Sequence, residues 1–428
     1  MKKRRFTAAL LALGISVSLI LQIPVSAAQE DANTQESADA QAATGEGGGS
    51  PISTNSIAGW PQGPEITSTA AVVMEDSTNT VLYGKNMDTP LYPASAVKIM
   101  TILLALENSN AEDQVVMTAT GVSGVTDGGA NISAQLDESF SMEQCMYAIM
   151  VASANDIALQ VAEHIGGSVE AFVQMMNTRA QELGCTNTVF TNPTGLPDEN
   201  QHTTAHDMAL IMKAAMSNET FRSMAKTTSY TIPATNMSGG ERVLTNRFSM
   251  IDPASDAYYE GCLGGKEGFT EASGSTLVCA AERNGMTLIS VVLQGASGQT
   301  DDEAITTLDY GFSNFQKLSL GEDDFGLVSG GTVIVPVGTS EDGLTVEDNE
   351  TDGQIERQYL FGGAPVGTAV LENVQEQDNT VTINGEANMK AAKDFSASRT
   401  NMPYYLIGGA GAVLFLLLLF AMVKVVKS

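Results

Sequence analysis

The chain has 428 residues, 43% of them apolar, which is enough for a sizeable core and for more than one domain. It carries 50 acidic against 21 basic side chains, a formal net charge of −29. Such a surface repels phosphate, so the charge argues against nucleic acid as a partner.

The first 28 residues are predicted to be a secretory signal peptide. Basic residues from Lys2 to Arg5 precede an apolar run from Ala8 to Ile23, and the small residues 26–28 follow it. An uncleaved anchor helix would have the same pattern, and either alternative predicts that the following chain is exported. Residues 29–65 are rich in small and acidic side chains and have no periodic apolar face, so we predict a flexible linker.

Residues 66–316 carry the pattern of a mixed domain. Apolar runs predict strands at 69–74 and 80–83, and again at 276–281 and 287–293. Between them, apolar residues at helical spacing predict a helix over 95–108 and two helical stretches over 142–166. Strands at both ends of a helical middle predict an antiparallel sheet covered by helices, the α+β class.

The C-terminal part changes in composition. Residues 321–388 contain 14 Asp and Glu against one basic residue, Arg357, and short alternating runs at 332–335, 369–371 and 380–383 predict a small all-β domain over 317–388. A polar linker, 389–402, leads to residues 403–423, which carry no charge. A helix of that length crosses a bilayer at ~1.5 Å per residue. We therefore predict a single-pass membrane protein with a short cytoplasmic tail, 424–428.

The chain has four cysteines, Cys145, Cys185, Cys262 and Cys279, too few for a dense disulfide framework. Cys262 and Cys279 flank a predicted hairpin, where they could approach each other. Burial as small apolar residues is the more common role of such cysteines.

The strongest local signal for chemistry lies at residues 92–101. Ser95 and Lys98 are three residues apart at the start of a predicted helix, so their side chains share one face. A serine hydroxyl becomes a good nucleophile when a nearby base takes its proton, and a lysine can serve where burial and other cations lower its pKa. The free N–H groups of a helix N-terminus also suit a developing oxyanion. The spacing alone is weak, because a helix-capping serine followed by an exposed lysine gives the same pattern.

Two more polar groups follow downstream. Ser153 and Asn155 lie between two predicted helices, where a hydroxyl could relay a proton and an amide could hold a substrate carbonyl. These residue types are also common helix caps. Residues 264–270 are glycine-rich, and Lys266 within them could supply charge to a terminal carboxylate. A plain glycine-rich hairpin would have a similar composition.

In this order and rough separation, the three pairs Ser95-x-x-Lys98, Ser153-x-Asn155 and Lys266-x-Gly268 resemble the motifs of the penicillin-recognising serine DD-peptidases. The resemblance covers about residues 66–316 and is strongest to the low-molecular-mass D-alanyl-D-alanine carboxypeptidases. It implies an antiparallel sheet of five strands with helices on its faces. It also implies that peptidoglycan stem peptides are substrates, that β-lactams are covalent inhibitors, and that no cofactor or metal takes part.

The resemblance also implies a role for each position. Ser95 would form the acyl-enzyme, Lys98 would be its general base, and Ser153 would shuttle a proton. The backbone N–H groups of Ser95 and Phe269 would form the oxyanion hole. The substrate-binding positions would be Asn155, Lys266, Glu267, Gly268 and Phe269.

Glu267 departs from the family pattern, in which Thr or Ser stands between Lys and Gly as a donor to the substrate carboxylate. An ionised Glu267 ~4 Å from that carboxylate would cost a few kcal/mol at an effective dielectric near 20. Acyl transfer stays plausible, whereas the choice of substrate is placed in doubt.

Two other functions fit parts of the pattern. A serine β-lactamase of one common class would need a Glu-x-x-x-Asn element between the second and third motifs, and the corresponding region, 192–196, does not contain it. A catalytically impaired wall-binding or penicillin-sensing protein is the second alternative. His202 and His206 have a spacing that suits zinc on a helix, but the sequence has no His-Glu-x-x-His element, so we expect no metal.

Overall fold

The computed structural model describes residues 51–124, 129–320, 326–351 and 354–372. The predicted signal peptide, most of the first linker, the strand at 380–383, the second linker, the transmembrane segment and the tail lie outside these ranges. Within them, no helix is both long enough and apolar enough to span a bilayer.

Fifteen strands and eight α-helices lie within these ranges. The strands are β1 (Ala70–Glu75), β2 (Val81–Lys85), β3 (Gln114–Val116), β4 (Ser139–Ser141), β5 (Ser229–Ile232), β6 (Arg242–Thr245), β7 (Cys262–Thr270), β8 (Gly274–Arg283), β9 (Met286–Gly295), β10 (Phe315–Ser319), β11 (Gly326–Gly330), β12 (Thr332–Pro336), β13 (Thr345–Thr351), β14 (Gln354–Phe361) and β15 (Ala364–Glu372). The helices are α1 (Lys98–Asn108), α2 (Ala119–Ser123), α3 (Met142–Val151), α4 (Asn155–Gly166), α5 (Val169–Glu182), α6 (Ala205–Met216), α7 (Glu219–Ala225) and α8 (Thr300–Asn314). The predicted strands and helices of the 66–316 region are thereby confirmed, within a residue or a few at their ends.

A five-stranded antiparallel sheet, ordered β2-β1-β9-β8-β7, forms the centre of this region. Every residue of β1 is buried, because the sheet is covered on both faces. Val72 and Met74 belong to one apolar core with helices α1, α3, α4 and α6. Ala71 and Val73 belong to a second core with α8. The α+β class predicted from the sequence is therefore correct.

Helices α3 and α4 have distinct local signals at their ends. Ser141 and Gln144 form a reciprocal capping box at the start of α3. Gly167, with a left-handed φ of 75°, ends α4. These signals mark the two outer ends of the helix pair, whose short connection, residues 152–154, carries Ser153.

The C-terminal residues form two further sheets. Strands β11, β15, β14 and β13 make a four-stranded sheet, and β10 pairs with β12. Their apolar side chains share the second core with the α8 face of the central sheet. The β-structure predicted at 332–335 and 369–371 is confirmed within β12 and β15.

Residues 51–65, predicted as part of the linker, are instead structured. They include a short 3₁₀ helix, Ser53–Ser56, and Trp60 is only 4% exposed. The Trp60 ring lies 4.9 Å from the ring of Phe315 and 6.1 Å from that of Phe361, and its N–H donates to the carbonyl of Leu82 at 2.8 Å. A single buried side chain such as Trp60 leaves no periodic apolar pattern in the sequence, so composition and periodicity do not identify it.

All four cysteines are free. Cys145, Cys185 and Cys279 are buried, and Cys262 is partly exposed on β7. Cys262 lies opposite Ala281 in the β7–β8 hairpin, and Cys279 lies opposite Gly265. Burial as small residues therefore describes three of the four cysteines.

Candidate active site

Ser95 lies in a 3₁₀ turn, Ala94–Val97, that leads directly into α1. The α-helix predicted to begin at Ser95 therefore begins three residues later, at Lys98. A 3₁₀ turn aligns side chains at i and i+3, and the Lys98 Nζ lies 3.1 Å from the Ser95 Oγ. The fold therefore brings the predicted nucleophile and its predicted base within hydrogen-bonding distance of each other.

The turn before Ser95 is held in an uncommon backbone conformation. Ala94 has a φ of 47°, in the left-handed region that non-glycine residues rarely adopt. Gly195, from the segment that precedes α6, packs so closely that a Cβ there would lie 1.8 Å from the Ala94 carbonyl oxygen. Strain at such a residue persists only where its surroundings enforce it, and the missing side chain of Gly195 lets its segment pack directly against this turn.

Lys98 is fully buried, at 0% exposure. Its ammonium group also donates to the carbonyl oxygen of Thr194. Burial lowers the pKa of Lys98 well below its usual range, and the nearby Lys266 ammonium lowers it further. A larger neutral fraction makes Lys98 a competent base for the Ser95 proton.

Ser153 and Asn155 reach the same place from the connection between α3 and α4. Ser153 has a φ of 56°, and its hydroxyl donates to the Ser95 Oγ at 3.2 Å. Asn155 is 4% exposed, and its backbone N–H donates to the Ala130 carbonyl at 2.8 Å. Its buried Oδ1 has no hydrogen-bond partner among the described residues. The amide is therefore held at the site with capacity left for a ligand.

Strand β7 forms the opposite wall. Lys266 is 6% exposed and donates to the backbone carbonyl of Glu267 at 3.0 Å. Burial lowers the pKa of Lys266 to about 8, with Glu267 opposing the shift and Arg247 adding to it. At Gly268, a Cβ would lie 2.5 Å from the Ser95 backbone nitrogen. Phe269, the next residue, is 62% exposed. The strand thus passes next to the nucleophile only because residue 268 has no side chain.

A cleft of about 460 Å³ joins these groups. Its lining includes Ser95, Ser153, Asn155, Lys266, Glu267, Gly268 and Phe269, so seven of the eight predicted site residues border one cavity and Lys98 lies directly beneath Ser95. Thr194, Arg247 and Asp301 are among the lining residues that the sequence did not identify as part of the site. They lie on loops or at a helix end, where no periodic pattern marks a functional side chain.

Glu267 is partly buried, and its carboxylate makes no hydrogen bond or ion pair with any residue that the structure describes. Burial is the main cause of its raised pKa, and the Asp301 carboxylate raises it further, while Lys266 and Arg247 oppose the shift.

The two histidines considered for zinc have other contacts. His202 Nδ1 lies 3.0 Å from the carbonyl oxygen of Asn200, and His206 Nδ1 lies 3.2 Å from Asp88. Across the described ranges, no three or more Cys, His, Asp or Glu side chains group as metal ligands would.

The site combines a serine beside a buried lysine, a second hydroxyl, and a strand whose glycine lets it approach the serine closely. This combination defines a serine acyl-transfer site. Comparison with known proteins identifies the family. A model of the D-alanyl-D-alanine carboxypeptidase family matches residues 58–297. The chain therefore belongs to the serine D-alanyl-D-alanine carboxypeptidases.

Individual relatives agree with this assignment. The chain is 34% identical to the D-alanyl-D-alanine carboxypeptidase DacF of Bacillus subtilis, over 58% of this chain and 62% of that protein. It is 32% identical to DacB2 of Mycobacterium tuberculosis, over 61% of this chain and 87% of that protein. The crystal structure of a D-alanyl-D-alanine carboxypeptidase from Mycobacterium tuberculosis H37Rv superposes with a TM-score of 0.55 at 28% identity, over 60% of this chain and 95% of that one. The matched part spans less than two thirds of DacF.

Proposed function

We propose that this chain removes the terminal D-alanine from peptidoglycan stem peptides through an acyl-enzyme on Ser95. Neutral Lys98 takes the hydroxyl proton, and the Ser95 Oγ attacks the carbonyl carbon of the penultimate D-alanine. The oxyanion accepts hydrogen bonds from the backbone N–H groups of Ser95 and Phe269. The C–N bond breaks as Ser153 delivers its proton to the leaving amine and takes one back from the protonated Lys98, which leaves Lys98 neutral again. A water, deprotonated by Lys98, then hydrolyses the ester.

One observation carries the proposal: the Ser95 Oγ lies 3.1 Å from the Lys98 Nζ and 3.2 Å from the Ser153 Oγ. A base and a proton relay on either side of one hydroxyl meet the geometric requirement for nucleophile activation. The orphaned Asn155 Oδ1 and the buried Lys266 supply polar groups for the peptide. A β-lactam, which presents a reactive amide to the same serine, is expected to acylate the enzyme covalently.

The test is covalent labelling by a penicillin, read by mass spectrometry, together with release of D-alanine from a peptide that ends in D-Ala-D-Ala. Ser95→Ala is expected to abolish both signals. Ser223→Ala, at an exposed serine outside the cleft, serves as the matched control and is expected to keep both. Labelling of the Ser95→Ala protein would overturn the mechanism. Labelling of the wild type without release of D-alanine would instead identify a penicillin-binding sensor, the alternative raised by Glu267 between Lys266 and Gly268.

We also propose that the protein is exported and held in the cell membrane by residues 403–423, with the catalytic part outside. The support is the sequence pattern: a basic, apolar N-terminus and an uncharged C-terminal run long enough to cross a bilayer. Deletion of residues 403–428 is expected to move the activity from the membrane fraction to the soluble fraction. Activity that stays with the membrane after this deletion would refute the assignment of the anchor.

A further inference from the structure

The peptide unit between Thr194 and Gly195 lies directly beside the Lys98 amine. Its carbonyl oxygen, on Thr194, accepts a hydrogen bond from the Lys98 ammonium group. Its N–H, on Gly195, donates to the side-chain Oδ1 of Asn192 at 2.8 Å. A peptide unit is planar, and in the trans form its C=O and N–H point in opposite directions. The described residues contain no cis peptide bond, so the side chain of Asn192 fixes the direction of the carbonyl that Lys98 meets.

Asn192 holds this peptide unit through several contacts. The same Oδ1 also accepts from the Thr194 hydroxyl at 2.8 Å and from the Thr194 backbone N–H at 3.2 Å, and the Asn192 Nδ2 donates to the Leu196 carbonyl at 3.1 Å. An asparagine that bonds to its own backbone in this way stabilises a local turn. Among the described residues, 194–196 line the cleft and Asn192 does not. Its side chain therefore acts from behind the cleft wall, through the backbone that it holds.

The direction of the Thr194 carbonyl matters because of the chemistry of a neutral lysine. A neutral amine has two N–H groups and one lone pair, and only the lone pair can take a proton. The carbonyl oxygen can only accept, so an N–H of Lys98 faces Thr194. The lone pair is then free to face the Ser95 hydroxyl, whose oxygen lies 3.1 Å from the Lys98 Nζ. A base that is oriented by a third group is the arrangement that activates a serine nucleophile.

We propose that Asn192 is a positioning residue for acylation at Ser95. It orients the Thr194 carbonyl, and that carbonyl orients the Lys98 amine. The inference rests on the acyl-enzyme mechanism proposed above. Lys98 also faces the Ser95 hydroxyl on its own turn, and the Lys266 ammonium on β7 is the charged group whose field acts on it. The carbonyl stabilises protonated Lys98 more than neutral Lys98, since a charged donor makes the stronger hydrogen bond.

The experiment measures the rate constant for acylation of the full-length chain in detergent by a saturating chromogenic penicillin, as a function of pH, together with the number of sites labelled. Asn192→Ala leaves the peptide unit free to turn. The rate constant reached above the acidic limb is expected to fall about tenfold or more, because a positioned base contributes about 10²–10⁴-fold. The limb is expected to move to lower pH, because Lys98 loses a hydrogen bond that favours its protonated form and its pKa falls.

Asn177→Ala is the matched control, because Asn177 holds the same segment two residues earlier, at Phe190. Its Nδ2 donates to the Phe190 carbonyl and its Oδ1 accepts from the Phe190 N–H, both at 2.8 Å. This variant is expected to lower the melting temperature and to leave the rate constant and the limb as in the wild type. It therefore separates a purely structural role from the orientation of the base.

Asn192→Asp keeps an acceptor oxygen for the peptide unit that follows Thr194, and Gln201 still donates to the Leu196 carbonyl at 3.2 Å. The rate constant above the limb should stay within threefold of the wild type. The added negative charge should stabilise the Lys98 ammonium, so the limb should move to higher pH. This variant tests the inference even where Asn192→Ala does not fold.

Two results would overturn the inference while the acyl-enzyme mechanism stands. One is an Asn192→Ala protein that matches Asn177→Ala in rate constant and limb and differs from the wild type only in the number of labelled sites. The other is an Asn192→Asp protein whose limb does not move or whose rate constant falls tenfold. A wild type that the penicillin does not acylate would overturn both the inference and the mechanism.

Discussion

Replacement of Gly268 by alanine probes the contact between β7 and the nucleophile. The new Cβ would lie 2.5 Å from the Ser95 backbone nitrogen, 2.8 Å from the Thr276 Oγ1 and 2.9 Å from the Ala94 Cβ. Ordinary contacts between such atoms are about 3.5 Å or longer. None of the three atoms is the far end of a flexible side chain, and Thr276 is fully buried. The strand and the turn must therefore separate by about 1 Å.

That separation widens the gap between the N–H groups of Ser95 and Phe269, so the oxyanion loses one of its donors. Removal of one such donor lowers acyl-transfer rates by about 10²–10³-fold, and the overpacking itself costs about 1–3 kcal/mol of stability. The assay is the second-order rate constant for acylation by a chromogenic penicillin, with thermal melting measured in parallel.

Gly239→Ala is the matched control, because a Cβ at that position meets no atom within 4 Å. It is expected to leave both the acylation rate and the melting temperature unchanged. A Gly268→Ala protein that melts like the wild type and acylates within threefold of its rate would show that the strand does not supply the oxyanion donor.

Three further changes test the electrostatics and the packing. Lys266→Met removes the ammonium that helps to lower the pKa of Lys98. The acidic limb of the acylation pH profile should therefore move to higher pH, and the rate at neutral pH should fall. An unmoved limb would contradict the electrostatic effect of Lys266 on Lys98. Arg242→Met leaves the Glu138 carboxylate, 0% exposed and held by Arg242 at 2.8 and 3.0 Å, buried without its cation. The free energy of unfolding at pH 7, measured by urea titration, should drop by about 3–5 kcal/mol, and this loss should shrink as falling pH protonates Glu138; a loss that is equal at pH 5 and pH 7 would argue against a buried charge. Trp60→Ala should lower the free energy of unfolding by about 3–5 kcal/mol. The penicillin acylation rate at 25 °C should stay within threefold of the wild type, because Trp60 packs against the C-terminal strands and lies outside the cleft.

The elements of the central domain and the three motifs were predictable from the sequence, because both leave periodic or short-range signals. The strands at 276–281 and 287–293 follow from apolar runs, and Ser95 with Lys98 from their spacing. What the sequence could not provide is pairing over long distances. Nothing near Arg242 marks Glu138, 104 residues earlier, as its partner, and nothing near Gly195 marks the Ala94 carbonyl as its neighbour.

The conformation of the nucleophile turn also depends on the tertiary structure. A residue such as Ala94 does not favour a positive φ, so its φ of 47° results from packing and not from local preference. Likewise, the departure at Glu267 was visible as a residue change, but its lack of a partner and its separation from the Lys266 ammonium became clear only from the strand geometry.

The order of strands in the central sheet affects when the active site can form during folding. Strand β1 pairs along its whole length with β9, so the N-terminal hairpin has no inner neighbour until residues 286–295 are in place. Ser95 follows that hairpin directly, while Lys266 and Gly268 arrive on β7, at the opposite edge of the sheet. Pairing between such distant segments is slow, because closing a long loop lowers the chain entropy before any contact can offset that loss. We therefore expect acylation competence to appear only after these distant segments have paired, so covalent capture of a penicillin should report how much of a newly made population has folded this region.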